Sequence, residues 1–212
     1  GIGCPRCEEM AATLGDPRVV AEMKPFVRVR VRRPSPAVLL DFGLHDCAEV
    51  VIGPDGALRK TCYGVLAPEL FAHVLRRMAY AGPAGERAKP STSLSTGRLA
   101  ELRRLLADVP RFGEGHGRTV VEEFRRTGRA ALPVLREALW GQESDLRLHA
   151  ILLMPACDNP KEDPAPRIAE DETLFDLLAF ACDSDAELRS AATHALGRLG
   201  DRRATPFIAR YL

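Results

Sequence analysis

The chain has 212 residues, 46% of them hydrophobic and 28% charged, and its 30 basic and 29 acidic side chains leave a net charge of +1. Such a balance argues against a protein built mainly to neutralise nucleic-acid phosphates or to lie on an anionic membrane. The six cysteines are too scattered for a disulfide-stapled secreted scaffold, and no apolar run reaches the ~18 residues that a membrane span needs. We therefore expect no nucleic-acid partner and no membrane span.

The first motif is a pair of cysteines near the start of the sequence, Gly3-Cys4-Pro5-Arg6-Cys7, which is followed by a helical pattern. Proline suits the first turn of a helix, and one apolar helix face is predicted from the spacing of Cys7, Met10, Ala11 and Leu14. The positive end of the helix macrodipole favours a thiolate, and a second thiol one turn later can capture a mixed disulfide. The motif therefore predicts a redox dithiol, with inert cysteines as the alternative.

The next predicted elements are a short helix and a strand. Asp16-Pro17 is typical of a helix start, with the aspartate as N-cap and the proline at the first helical position. From Phe26 to Arg32, valine and arginine alternate, which predicts a strand with one apolar and one charged face. The charged face suits a sheet edge, where it discourages pairing with another chain, and an arginine stripe for an acidic partner is the alternative.

A hairpin and a covering helix complete the N-terminal pattern. The hairpin is predicted from two strand-like runs, residues 49–52 and 57–63, on either side of the turn sequence Gly53-Pro54-Asp55-Gly56. Residues 68–78 carry apolar side chains at helical spacing, which predicts a helix that covers the sheet. We expect this first domain to span residues 1–80.

Residues 81–97 are rich in Gly, Pro, Ser and Thr without apolar periodicity, which predicts a linker. From residue 98 to residue 212 the pattern is helical, and an offset of 42 residues superimposes segment 132–155 on segment 174–197. That period is typical of two-helix solenoid repeats, which bury their apolar faces by stacking. Between the repeats, residues 155–171 are rich in proline and acidic side chains and predict a long loop, either functional or a solvated insertion.

Several short motifs of the first domain occur in an order and spacing that are more specific together than any one motif alone. They are Cys4-Pro5-Arg6-Cys7, Asp16-Pro17-Arg18-Val19, Phe26-Val27-Arg28-Val29, the hairpin turn, and the run from Tyr63 to Glu69. Together they resemble the thioredoxin superfamily. The resemblance implies a thiol-disulfide oxidoreductase in which Cys4 attacks, Cys7 resolves the mixed disulfide, and Pro5 and Arg6 border the substrate groove.

Two departures from that family concern the sheet and the groove. The family places a central strand before the two cysteines, whereas only Gly1 to Gly3 precede them here, so the implied sheet is incomplete. The family also carries a cis-proline before the hairpin strand, where it shapes the groove. The matching position here is Cys47 or Ala48, and neither is a proline.

The second departure also suggests a metal site as an alternative. If the fold holds, the region of Cys47 approaches the two N-terminal cysteines, and three thiols with one imidazole would suit zinc or copper. The residues of this alternative are Cys4, Cys7, His45 and Cys47. Our first expectation is that no metal and no cofactor is bound. The other cysteines, Cys62, Cys157 and Cys182, are predicted to be small core residues.

The C-terminal region contains two segments with repeat-like composition, residues 130–135 and 185–201. Small alanines in the second segment permit close helix packing, and its glycines end the helix. These segments resemble HEAT-type helical repeats, including those of the PBS-lyase-like kind. The resemblance implies a module that binds another protein and rarely carries catalysis, so His149 and His194 are interpreted as helix-face residues.

The expected fold class is therefore an α/β thioredoxin-like domain with an incomplete sheet, joined to an all-α HEAT-type solenoid. The expected function is that of a thiol-disulfide oxidoreductase or redox-linked adaptor, which acts on a protein or small-molecule disulfide and recruits a protein partner through the solenoid. A non-catalytic scaffold with a degenerate thioredoxin-like domain and a thiolate metal-binding protein are the alternatives. With no initiator methionine at Gly1, we expect the natural N-terminus to be absent, and the compartment, bacterial cytoplasm or periplasm, stays open.

Overall fold

The computed structural model of the chain describes residues 5–27, 48–53, 58–80, 94–109, 114–158 and 171–211. These residues are mostly helical, with a small two-stranded antiparallel sheet. The chain divides into two compact units. Unit 1 contains residues 1–87, 182–185 and 211, and unit 2 contains residues 88–181, 186–210 and 212.

The described part of unit 1 consists of helices and a pair of strands. Its elements are α1 (Pro5–Gly15), α2 (Pro17–Glu22), β1 (Ala48–Ile52), β2 (Leu58–Tyr63) and α3 (Pro68–Tyr80). The helices predicted to begin at Asp16-Pro17 and at Pro68 are confirmed. Most of the predicted edge strand, Arg28 to Arg32, lies outside the described residues.

The two strands pair antiparallel, as the sequence predicts for a hairpin. Val50 lies opposite Thr61 and Glu49 lies opposite Cys62, and the register shifts between Val51 and Ile52. Residues 54–57, which include most of the predicted turn, lie outside the described residues. Gly64 follows β2 with a φ of 77°, a left-handed conformation that glycine adopts without a steric penalty, and the chain then leads into α3.

One face of α3 supplies much of the core of unit 1. Of the large apolar side chains that predict this helix, Leu70, Phe71, Val74 and Leu75 are buried and Met78 is half-buried. The large buried apolar side chains of α3 and of the segments around it are Val19, Met23, Val65, Leu66, Leu70, Phe71, Val74 and Leu75. Because α3 contacts both α1 and α2, its apolar face holds the N-terminal helices in place.

Unit 2 is built from helices. They are α4 (Thr96–Asp108), α5 (Glu114–Thr127), α6 (Leu132–Leu139), α7 (Ser144–Asp158), α8 (Asp171–Ala181), α9 (Ala186–Leu199) and α10 (Thr205–Tyr211), with 3₁₀ turns at Gly128–Ala131 and Arg202–Ala204. The last residue of α10 is grouped with unit 1. Within the described ranges, no helix is both long and apolar enough to cross a membrane.

The segment predicted as a linker ends earlier than expected. Ser95 caps α4, because its hydroxyl accepts a hydrogen bond from the Arg98 amide at 3.3 Å. Helix α4 therefore includes Thr96 and Gly97, which the composition assigned to the linker. A capping serine explains how a helix begins inside a segment of low helix propensity. Residues 81–93 lie outside the described part of the chain.

Equivalent positions are buried at the 42-residue offset. Leu132 and Leu174 are 1% and 2% exposed, and Leu135 and Leu177 are both fully buried. The same holds for Ala150 of α7 and its counterpart Ala192 of α9. Helix α7 contacts α6, and α9 contacts α8, so each half of the sequence repeat corresponds to a packed helix pair.

The predicted long loop begins later than the sequence indicated. Helix α7 continues through Pro155 and ends at Asp158, and all of its last residues are buried. A proline within a helix removes one backbone hydrogen bond, but burial of the apolar residues around it compensates for this loss. Asp171 already belongs to α8. The remainder of the predicted loop, residues 159–170, lies outside the described residues.

Candidate functional site

Helix α1 begins at the dithiol motif. Pro5 is its first residue, Arg6 and Cys7 follow in its first turn, and Cys4 immediately precedes it in sequence. The first amides of a helix have no intrahelical acceptor, and Pro5 has no amide hydrogen. The positive end of the helix macrodipole therefore lies at the amides of Arg6 and Cys7. A negative charge at this end of α1 is stabilised.

Charged side chains of both signs accompany the motif. Arg6 and Glu8 both lie in the first turn of α1, and both are exposed. A neighbouring cation lowers the pKa of a thiol and a neighbouring carboxylate raises it, and water screens both effects at the surface. The backbone amides of the helix end are thus the main electrostatic feature of the motif.

The far end of α1 is anchored by a buried hydroxyl. Thr13 is 4% exposed, and its Oγ1 donates a hydrogen bond to the Leu66 carbonyl at 3.1 Å. The sequence predicted that Met10, Ala11 and Leu14 would lie on the apolar inward face. Ala11 is instead exposed, and Met10 and Leu14 are half-buried. Thr13 takes the inward position because its hydroxyl has this carbonyl as a partner, so burying it leaves no unpaired polar group.

Ion pairs join α2 to α3. Arg18 donates to the Asp16 carboxylate at 2.9 and 2.8 Å, and its other nitrogen lies 3.5 Å from Glu69. The hydrogen bond from the Arg18 side chain lowers the pKa of Asp16 to about 2, and the same bond raises the pKa of Arg18. Arg76 of α3 lies 2.9 Å from Glu22 of α2. The helix that carries the dithiol motif is therefore followed directly by a helix that surface ion pairs link to α3.

Of the remaining predicted site residues, only Ala48 lies within the described part of the chain. Ala48 is the first residue of β1, at the strand position where the thioredoxin resemblance places the groove. Cys4, His45 and Cys47 lie outside the described residues, as do the predicted contacts among them. Among the side chains that the structure describes, no group of three or more His, Cys, Asp or Glu residues is placed to hold a metal ion.

The three cysteines predicted to be core residues are confirmed as buried, and none of them forms a disulfide within the described residues. Cys62 is 1% exposed, Cys157 is fully buried and Cys182 is 3% exposed. Burial raises the pKa of Cys157 to about 12, and the neighbouring Asp158 carboxylate adds to the shift. The Cys157 thiol donates a hydrogen bond to the Phe124 carbonyl at 3.4 Å. Cys157 therefore stays protonated at neutral pH and is unsuited to thiolate chemistry.

The two histidines of the helical region lie on helices, as the sequence predicts. His149 of α7 is half-buried, and desolvation lowers its pKa. His194 of α9 is exposed. Neither belongs to a cluster of metal-binding side chains within the described ranges.

Sequence reasoning missed a buried polar network in unit 2. Asp176 of α8 is fully buried and accepts hydrogen bonds from Arg136 Nε at 3.0 Å and from Trp140 Nε1 at 2.9 Å. Arg136 also donates to Thr173 at 3.0 Å, and Trp140 packs edge-on against Phe180. One signal was available, since Asp176 interrupts the apolar run of α8. These hydrogen bonds link α6 and the residue that follows it to α8, and the Asp176 carboxylate is out of contact with water.

A second buried ion pair was also missed, in unit 1. Lys60 of β2 donates to the carboxylate of Asp183, and both side chains are almost completely buried. No local pattern marks Lys60, because its neighbours Arg59 and Thr61 are polar as well. The partner lies far away in sequence, so only the folded chain reveals the pair.

Comparison with known proteins gives no assignment: no family model, no curated protein and no solved structure matches the chain.

Proposed function

We propose that the chain is a thiol-disulfide oxidoreductase, or an adaptor whose binding depends on the redox state of the same thiols, in which Cys4 is the attacking thiol and Cys7 the resolving thiol. The observation that carries the proposal is the start of α1 within Cys4-Pro5-Arg6-Cys7. A helix N-terminus stabilises a thiolate, and the thiolate is the form that attacks a disulfide. The buried thiols of Cys62, Cys157 and Cys182 supply no competing candidate.

The proposed reaction is a balanced exchange of two electrons. The Cys4 thiolate attacks one sulfur of a substrate disulfide, forms a mixed disulfide and releases the other sulfur as a thiolate. The Cys7 thiolate then attacks the sulfur of Cys4 and releases the second substrate thiolate. The protein is left with a Cys4–Cys7 disulfide, the substrate is reduced, and an external dithiol reductant regenerates the starting state.

The proposed partner surface belongs to the helical unit. We infer a HEAT-type repeat module that binds a protein, since two helix pairs at an offset of 42 residues bury equivalent leucines and alanines. Such modules present rows of helices to a partner, which would bring a protein disulfide to unit 1 of the same chain. A small-molecule disulfide would need no such recruitment.

A non-catalytic binding protein is the second candidate. It is favoured by the start of β1, because Ala48 and the preceding Cys47 stand where a thioredoxin-like groove has a proline. On this alternative, unit 1 is a scaffold and the helical repeats carry the function. The thiolate metal site of Cys4, Cys7, His45 and Cys47 is tested separately by metal analysis of protein purified without chelator, where about one equivalent of zinc or copper would support it.

Insulin reduction in the presence of dithiothreitol tests the oxidoreductase. We expect the wild-type protein to accelerate the reduction, Cys4→Ser to abolish the acceleration, and Cys7→Ser to accumulate a mixed disulfide. Cys157→Ala is the matched control, because its thiol is buried and protonated, and it should retain wild-type activity. Equal inactivity of the wild type and Cys4→Ser would overturn the catalytic proposal in favour of the scaffold.

The pH dependence of alkylation tests the role of the helix end. We expect the N-terminal thiol to react with iodoacetamide at half its maximal rate below pH ~8.5, the value of an unperturbed cysteine. Stabilisation of the thiolate lowers the pKa, so the reaction rate should rise at lower pH in the native protein than in urea. Cys62, Cys157 and Cys182 should react only after denaturation. Identical native and denatured pH profiles would remove the proposed activation.

A further inference from the structure

A short segment distant in sequence belongs to unit 1. Residues 182–185 are grouped with residues 1–87, and Asp183 forms an isolated antiparallel bridge with Cys62 of β2. Asp183 also accepts a hydrogen bond from Lys60, 123 positions away in sequence. The side chains of Lys60 and Asp183 are 3% and 9% exposed, so both charges are withdrawn from water.

The carboxylate of Asp183 has two roles. Residues paired across a β-bridge share a face of the strand, and so do residues two apart, which places Lys60, Cys62 and Asp183 on one face. One oxygen of Asp183 receives the Lys60 ammonium. The other oxygen accepts the Asp185 amide at 2.9 Å and the Ser184 hydroxyl at 3.4 Å, which fixes the shape of its own segment.

We propose that residues 182–185 form a clasp that holds the β1–β2 hairpin closed through the Lys60–Asp183 pair. An isolated two-stranded hairpin is marginally stable in water, so the hairpin needs such support. A buried charge that loses its partner is strongly destabilising, so opening the clasp exposes Lys60 and releases β2. Unit 1 therefore completes its fold only after this late segment of the chain is in place. The clasp does not depend on the proposed redox activity.

The rate at which Cys62 is alkylated in the full chain reports the opening of the hairpin, because this thiol is 1% exposed in the closed state. Asp183→Asn keeps an acceptor for the Asp185 amide but removes the charge that pairs with Lys60. We expect it to raise the alkylation rate of Cys62, followed by mass spectrometry, roughly 100-fold. The matched control Ser184→Ala leaves the ion pair intact and should stay within about threefold of wild type. A rate for Asp183→Asn within about threefold of wild type would overturn the clasp.

A double variant separates loss of the pair from general damage. Lys60→Met with Asp183→Asn removes both charges together, so no unpaired charge is buried. We expect this protein to protect Cys62 at least 10-fold better than Asp183→Asn alone. Equal exposure of Cys62 in the single and double variants would show that the buried charge is not what opens the hairpin.

Hydrogen exchange of the wild-type protein gives a test that needs no variant. If the clasp and the hairpin open together, the Asp185 amide, which is bonded to Asp183, and the Thr61 amide should have protection factors within about tenfold of each other and equal sensitivity to urea. An Asp185 amide that exchanges more than about 100-fold faster than the hairpin amides would show that the segment opens alone, and the proposal would then be wrong.

Discussion

Two buried carboxylates, Asp183 in unit 1 and Asp176 in unit 2, are neutralised in different ways. Asp183 accepts hydrogen bonds from the Lys60 ammonium and, within its own segment, from the Ser184 hydroxyl and the Asp185 amide. Asp176 accepts from Arg136 and from the indole of Trp140, and Arg136 is in turn bonded to Thr173. In unit 1 the contact with a residue distant in sequence is an ion pair, and in unit 2 an indole and a hydroxyl join the ion pair.

The difference determines which substitutions each unit tolerates. When Lys60 and Asp183 are both replaced, the ion pair of unit 1 loses its two charges together. Apolar or neutral side chains of similar size can then take their places without leaving one charge buried alone. In unit 2, Trp140 donates to Asp176 and Thr173 accepts from Arg136, so each keeps a hydrogen-bonding atom that loses this partner when the ion pair is replaced. We therefore expect unit 2 to be less tolerant of change at its buried carboxylate than unit 1.

The largest expected effect is that of Asp176→Ala. It leaves the Arg136 guanidinium, whose side chain is 12% exposed, without its buried carboxylate and removes the acceptor of the Trp140 indole. We expect a loss of about 3–5 kcal/mol in the free energy of unfolding, measured by urea denaturation with the fluorescence of the single tryptophan. Asp171→Ala is the control at an exposed position of the same helix and should cost less than about 1 kcal/mol. Equal costs for the two variants would contradict the network.

The next largest effect comes from removing both charges in each unit. Arg136→Met with Asp176→Leu should still cost about 1–3 kcal/mol, because the Trp140 Nε1–H loses the Asp176 acceptor. Lys60→Met with Asp183→Asn should stay within about 1 kcal/mol of wild type, because no buried charge remains. Urea denaturation of both double variants measures the contrast. A greater loss of unfolding free energy in the unit 1 double variant than in the unit 2 double variant would contradict the expected difference in tolerance.

Thr13→Val tests a single neutral hydrogen bond of unit 1. The substitution keeps the volume of the side chain but leaves the Leu66 carbonyl without its donor, so we expect a loss of about 1–2 kcal/mol. Thr193→Val is the matched control, because Thr193 also donates to a carbonyl, that of Arg189, but on an exposed helix surface. It should cost less than about 0.5 kcal/mol. Similar losses in the two variants, measured by urea denaturation, would argue against the anchoring of α1.

The sequence predicted those parts of the fold that depend on local pattern. The hairpin strands follow from two strand-like runs around a turn sequence, and the burial of Leu70 and Val74 follows from their spacing in α3. In unit 2 the 42-residue offset pairs Leu132 with Leu174 and Leu135 with Leu177, and all four are buried. Leu146 is only half-buried, although its counterpart Leu188 is buried. The strand and helix signals are patterns of neighbouring residues, and the 42-residue offset is a repeat of one such pattern.

Features that depend on distant partners were not predictable. Lys60 is polar among polar neighbours, and its burial follows only from the position of Asp183 in the folded chain. Thr13, rather than the predicted Ala11, lies on the inward face of α1, because the Leu66 carbonyl accepts the hydrogen of its hydroxyl. Helix α7 continues through Pro155 because burial of the surrounding apolar residues compensates for the missing backbone hydrogen bond. In the candidate site, the proline that begins α1 was predictable, since its role is local.

The smallest effect concerns the carboxylate of Asp16, which is half-buried at the surface and is screened by water more than Asp176 or Asp183. Its pKa is about 2 in the folded chain and 3.8 without the fold, so the contribution of its charge to stability is present above pH 3.8 and is lost as the pH falls toward 2. Asp16→Asn preserves the N-cap but cannot titrate, so its thermal midpoint should change less with pH over that range than that of the wild type. An NMR titration of the Asp16 carboxyl provides the direct check. A measured pKa near 3.8 would show that the bond from Arg18 is too weak in water to influence the start of α2.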